Sequence, residues 1–140
     1  MTPDQIALVQ SSFWQVVPNA ATAADLFYDR LFEIAPHLRP MFPADLTGQK
    51  KKLMAALGTA VTSLGRLDAL VPTLRALGRR HAGYGVKPQH YASVGSALMW
   101  TLEKGLGAAF TPAVRDAWAT AYILIWTTMS NAANERPLAA

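Results

Sequence analysis

Apolar residues recur along this chain at spacings of three and four, the repeat of one helix face, in stretches separated by Pro, Gly and Asn. Thr2 as cap and Pro3 at the first helical position open the first helix, which carries Ile6, Val9, Phe13 and Val16–Val17 inward and stops before Pro18. The second runs from about Asn19 or Thr22 to Ile34, with Leu26, Phe27, Leu31, Phe32 and Ile34 as its apolar face. Pro36, Pro40 and Pro43 then confine residues 36–45 to short turns. A third helix over about Leu46–Leu64 presents Gln49, Leu53, Leu57, Ala60 and Leu64 inward and ends at Gly65. In the next stretch, Leu70–Val86, a helix starting near Pro72 puts Leu70, Leu74, Leu77 and His81 on one stripe before Gly83 and Gly85 break it. Pro88 opens a fifth helix carrying Tyr91, Val94/Gly95, Leu98, Leu102 and Leu106. Thr111 and Pro112 open the last, with Val114, Trp118, Tyr122, Ile125–Trp126 and Met129 on one face. No stretch alternates as a strand does. The pattern predicts an all-α domain of about six main helices plus a proline-rich corner, with a core over about residues 4–133 and a frayed polar tail at 134–140.

Composition narrows this picture. With 51% hydrophobic and 16% charged residues in 140, the chain is a single globular domain and not a disordered one. It holds no cysteine, which excludes disulfides and thiolate metal sites. The start, MTPDQIALVQ, lacks the basic-then-apolar pattern of a signal peptide, and the longest oily run, Ala121–Trp126, is too short to span a bilayer. The expectation is a soluble, cytoplasmic protein with no membrane partner. Charge is uneven: residues 46–88 hold eight basic side chains against one acid, Asp68, so this stretch carries about +7 and the remainder about −3. Such a stretch suits nucleic acid, an acidic partner or the carboxylates of a bound cofactor. Nucleic acid is disfavoured, because no stacking aromatics are interleaved with the basic residues.

Three histidines could carry chemistry. His37 lies in the proline-rich turns and His90 in the first turn of a helix, both suited to solvated positions. His81 differs, because its stripe directs it toward the core, either as a packed, hydrogen-bonded residue or as a ligand. No second His or paired carboxylate stands near it at metal-ligand spacing, which argues against a bare zinc or iron ion held by side chains alone. One histidine suffices when the cofactor brings its own ligands, as haem does. No nucleophile elbow, P-loop or dinucleotide fingerprint occurs. Gln49 and Tyr28 are polar residues on otherwise apolar faces. Taken singly, each reads first as a satisfied residue reaching solvent or backbone, and second as a group facing a buried ligand.

Several motifs are collinear with one family: LFYDRLF (26–32), PHLRPMF (36–42), QKKKLMAALG (49–58), LVPTLRALGRRHAGYGV (70–86), HYASVG (90–95) and AWATAY (117–122). Through them the chain resembles the bacterial single-domain globins, of the type of the haem domain of flavohaemoglobins and of Hell's Gate globin. The resemblance implies the globin fold around one haem b. It implies His81 as the proximal iron ligand, with Phe42, Leu53, Leu57, Tyr91 and Val86 against the haem, and Tyr28 and Gln49 as distal donors to a bound gas. Each charge-assisted bond they donate is worth roughly 1.5–3 kcal/mol, or about one to two decades in O₂ release rate. Reversible O₂ and NO binding is implied, with nitric oxide dioxygenation driven by an external reductase as the expected activity. The alternative is O₂ storage, scavenging, transport or sensing without turnover. Two departures stand out. Flavohaemoglobins carry a glutamate on the last helix that polarises the proximal histidine, and Ala133 stands at the matching position. Glu135 is about 200° further round a helix and cannot substitute for it. The 140 residues also contain no reductase domain.

Overall fold

The computed structural model describes residues 1–83 and 85–133, and among these all regular structure is helical. The α-helices are α1 (Pro3–Val16), α2 (Ala20–Ile34), α3 (Thr47–Thr62), α4 (Leu67–Gly83), α5 (Pro88–Leu106) and α6 (Pro112–Ala133). Short 3-10 turns at Val17–Asn19, Pro36–Met41 and Gly107–Ala109 join them. The expected tail at 134–140 and Glu135 lie outside the described residues, as does Tyr84. None of the described helices is long and apolar enough to cross a membrane.

Most helix boundaries have local causes. Thr2 and Gln5 form a reciprocal capping box, the Gln5 N–H donating to Thr2 Oγ1 at 3.1 Å and the Thr2 N–H to Gln5 Oε1 at 2.9 Å. At the head of α5 the Lys87 N–H donates to His90 Nδ1 at 3.0 Å, while Pro88 occupies the first helical position. Helix α4 departs from expectation. It begins at Leu67, not near Pro72, which lies inside it. The Arg66 carbonyl accepts the N–H groups of both Ala69 and Leu70 at 3.0 Å, so a turn closes ahead of the proline. The one bond Pro72 cannot make would go to the carbonyl of Asp68, an exposed residue that water can serve. Two expected core residues also face out: Val17 is 41% exposed and Ile34 38%. Val17 belongs to the 3-10 turn and sits about 100° from Val16, and Ile34 is the last residue of α2, so neither shares its neighbours' inward direction.

Helix α6 anchors the packing, lying against α4 and α1, while α5 packs chiefly on α2. Gly78 of α4 makes the closest approach. A Cβ there would collide with the backbone of Met129 on α6, so only glycine lets the two helices come this near. Trp118, 1% exposed, fills the centre and donates from Nε1 to the Ser12 hydroxyl at 2.8 Å, which satisfies its one polar atom. Helix α3 is seated on α2 and α1 and scarcely touches α4. Its neighbours leave Leu53, Met54 and Leu57 half-buried, in contrast to Leu70 and Leu74 of α4, which are 1% and 3% exposed. A gap lined by apolar side chains therefore separates α3 from α4.

Candidate functional site

One wall of this gap is aromatic. Tyr28 is the ninth residue of α2 and 3% exposed. Its ring packs edge-on against Phe27 and Phe42, with centroids at 5.0 and 5.7 Å, and lies 5.9 Å from Phe32. Burial pushes its phenol up from the ordinary tyrosine value, and hydrogen bonding from the Gln49 side chain opposes that rise. The hydroxyl is therefore protonated at neutral pH, a donor beside a second donor. Phe42 is held by an unusual strap. The Arg39 guanidinium donates to the carbonyls of Phe42, Pro43 and Ala44 at 3.3, 2.9 and 3.0 Å, and covers the Phe32 ring at 5.2 Å. Asp45 then accepts from the Thr47 N–H and hydroxyl at 3.0 and 2.7 Å, which lowers its carboxyl pKa and starts α3. Gln49, Leu53 and Leu57 follow at helical spacing, all half-buried.

The other wall is α4. His81 is half-buried, one turn beyond Leu77, and its Nδ1 lies 2.8 Å from the Leu77 carbonyl oxygen. A carbonyl can only accept, so Nδ1 donates in this contact, which orients the ring. The chain then turns tightly. The Val86 N–H donates to the His81 carbonyl at 3.0 Å, and Gly85 takes φ +86°, a conformation glycine adopts without strain. This returns Val86 half-buried toward the same region. Tyr91 is 8% exposed and stacks on Trp126 at 6.1 Å, its phenol raised by burial. Tyr122 donates its hydroxyl to the Tyr91 carbonyl, fixing α5 to α6, and burial raises its own phenol strongly. Ala133 is half-buried at the end of α6.

Behind Leu53 and Leu57 lies an apolar cavity of about 70 Å³, closed by Phe27, Val94, Leu98, Trp118, Tyr122 and Ile125. Its lining comes from α2, α3, α5 and α6. His37 and His90 belong elsewhere, with rings 6.4 Å apart at the corner between the Pro36–Met41 turn and α5. His37 is exposed, whereas His90 is half-buried and not simply solvated as its position in the sequence suggested. Tyr28, Phe42 and Gln49 thus stand together on one wall, with Leu53 and Leu57 beyond them. Sequence reasoning missed Gly78 as the contact that sets the position of α4, although an isolated glycine inside an apolar helical stripe is a recognisable signal. It also missed the Arg39 strap, for which no local pattern speaks.

Comparison with known proteins agrees with this architecture. The globin family model matches residues 25–129. The chain is 33% identical over 125 residues to the flavohemoprotein of Bacillus subtilis (strain 168), a match covering 86% of this chain and 31% of that protein. It is 31% identical over 137 residues to the neuroglobin of Tetraodon nigroviridis, covering 88% of this chain and 86% of that protein. A flavohemoprotein of Rhodopirellula baltica is 33% identical over 110 residues, covering 76% of this chain and 27% of that protein. The chain spans about a third or less of the flavohemoproteins it matches and most of the neuroglobin. It belongs to the globin family of haem proteins.

Proposed function

We propose that the chain holds one haem b in the gap between α3 and α4, binds O₂ and NO there, and works as a nitric oxide dioxygenase fed by a separate reductase. The overall reaction combines NO, O₂ and one electron into nitrate. The observation that carries this reading is the pair of walls: adjacent donors Tyr28 and Gln49 on one, and the carbonyl-oriented imidazole of His81 on the other. The donor set fits such a group. It offers one imidazole, that of His81, on a helix stripe whose other members, Leu70, Leu74 and Leu77, are apolar. Among the described residues, no group of three or more His, Cys, Asp or Glu could hold a bare metal ion instead.

When bound, haem supplies a ferrous iron that takes up a diatomic gas and shifts negative charge onto it. His81 would provide the protein ligand through Nε2, its ring held by the Leu77 carbonyl. Phe42, Leu53, Leu57, Val86 and Tyr91 would contact the porphyrin and keep water away, which strengthens every hydrogen bond inside. Tyr28 donates Oη–H and Gln49 donates from Nε2 toward the charge on the gas, each bond worth about 1.5–3 kcal/mol.

Absorption spectra and stopped-flow kinetics test the reading together. His81→Ala is expected to abolish stoichiometric haem uptake, and a normal haem spectrum in that variant overturns the ligand assignment. Tyr28→Phe is expected to speed O₂ release at least about tenfold, from one lost charge-assisted bond. When the oxygenated protein meets NO in the presence of a reductase, nitrate should accumulate over many turnovers. A single stoichiometric burst points instead to a carrier.

A further inference from the structure

None of the basic side chains that the sequence singled out lines the apolar cavity behind Leu53 and Leu57. Helices α3 and α4 are of nearly equal length, 16 and 17 residues, or about 24 and 26 Å at 1.5 Å per residue. They diverge from the short connection at Ser63–Arg66 and scarcely touch one another. Their far ends therefore form the two lips of the gap. One lip carries Lys50, Lys51 and Lys52 and the other Arg79 and Arg80, with Lys87 just beyond the turn. Lys50 is committed to Asp25 at 2.8 Å. Lys51, Lys52, Arg80 and Lys87 are exposed, and across residues 46–88 the single acid is Asp68, at the opposite end of α4. Like charges held on both lips repel one another and lower stability, so an internal packing role does not explain them.

We propose that these basic lips are the docking surface for a small acidic redox protein, which delivers electrons at the mouth of the pocket. The argument rests on charge complementarity and position. Lys51, Lys52, Arg79, Arg80 and Lys87 gather at the α3–α4 mouth, within a stretch of about +7 in a chain that elsewhere carries about −3, and so direct an anionic partner there and away from the other faces. In each encounter one electron passes from the donor's reduced cofactor to ferric iron, leaving the donor oxidised by one electron and the iron ferrous; no atom or proton need be exchanged. An acidic protein fits better than nucleic acid, because no aromatic is interleaved among the lysines and arginines to stack on bases. This inference rests on the reductase-fed reading of the preceding subsection.

The test uses the haem-loaded full chain and a bacterial flavodoxin as an acidic one-electron probe, with binding followed by calorimetry and reduction of the ferric protein by stopped flow. Lys51→Glu/Arg80→Glu is compared with Lys104→Glu/Arg115→Glu, an equal change of charge away from the mouth. The dissociation constant and the second-order reduction rate should each worsen at least about tenfold in the first variant and less than about threefold in the second. For the unaltered protein, affinity should fall as salt rises from 50 to 200 mM, as the Debye length shortens. The proposal is overturned by absence of flavodoxin binding, or by equal losses in the two variants. It is overturned too if phosphatidylglycerol vesicles or duplex DNA bind more tightly than flavodoxin and lose that binding on the same reversal. Nitrate turnover with a chemical reductant but unchanged flavodoxin binding in Lys51→Glu/Arg80→Glu sinks the docking surface alone. Lip-dependent flavodoxin binding without nitrate turnover sinks the dioxygenase reading alone.

Discussion

The two walls of the gap are built by opposite means. Helix α4 is pressed onto α6 so closely that Gly78 has no room for a methyl group, and its Leu70 and Leu74 are fully enclosed. Helix α3 rests on α2 and α1 with its inner leucines half-buried over open space. The wall bearing the candidate ligand is positioned by protein contacts alone. The wall bearing Gln49 is left to be completed by whatever fills the gap. The difference teaches where packing energy is invested: in aiming one imidazole, with the opposing surface kept adaptable.

Substitutions can break that contrast or sharpen it. Gly78→Ala should have the largest effect, because the added Cβ meets the backbone of Met129 and the helices must separate; a loss of about 3 kcal/mol or more in denaturant unfolding is expected. Leu74→Ala on α4 and Leu57→Ala on α3 delete the same atoms from unlike surroundings. The first should cost the cofactor-free protein about 2–5 kcal/mol and the second under about 2, and equal losses would erase the distinction between the walls. Gly58→Ala reverses the sign. The nearest atom to its added Cβ is Phe13 Cε2, at an ordinary 3.9 Å, so the gain in helix propensity should stabilise α3 by up to about 1 kcal/mol. The smallest effect concerns pH. Burial, His37 and Lys87 all hold His90 below the ordinary histidine value, and its Nδ1 must stay unprotonated to accept from the Lys87 N–H. A depressed folded value contributes stability that is present above the unfolded pKa of about 6.5 and is lost as pH falls below it. His90→Gln keeps an acceptor that does not titrate, so its unfolding midpoint should fall less between pH 7 and 5 than that of the unaltered protein.

Much of this was legible in the sequence, and the reasons are physical. Stripes at helical spacing identify all six long helices, because a helix buries one face and the residues on it must be apolar. The same stripes exposed His81, Gln49 and Tyr28, since a polar group among oily ones needs an explanation. What failed was local. Pro72 looked like a helix start because its missing N–H is harmless in a first turn, but an accessible carbonyl at Asp68 makes it harmless one turn later as well. Val17 and Ile34 are apolar residues at helix ends, where the wheel that assigns faces stops turning. The approach of α4 to α6 at Gly78 joins residues far apart in the chain, so no window of sequence contains both partners.

The Arg39 strap has a consequence of its own. Between the turn at Pro36–Met41 and the first residue of α3 the backbone has almost no regular ladder to hold it, and one guanidinium gathers three successive carbonyls. One planar group thus ties together three carbonyls and a ring, which no ammonium can imitate, since a lysine cannot span the three acceptors while covering a ring. Length changes upstream of Phe32 leave the spacing of ring, guanidinium and carbonyls unaltered. An insertion between Arg39 and Phe42 displaces all three acceptors at once, and with them the position of Phe42. For anyone grafting or redesigning this corner, residues 39–44 form one indivisible module.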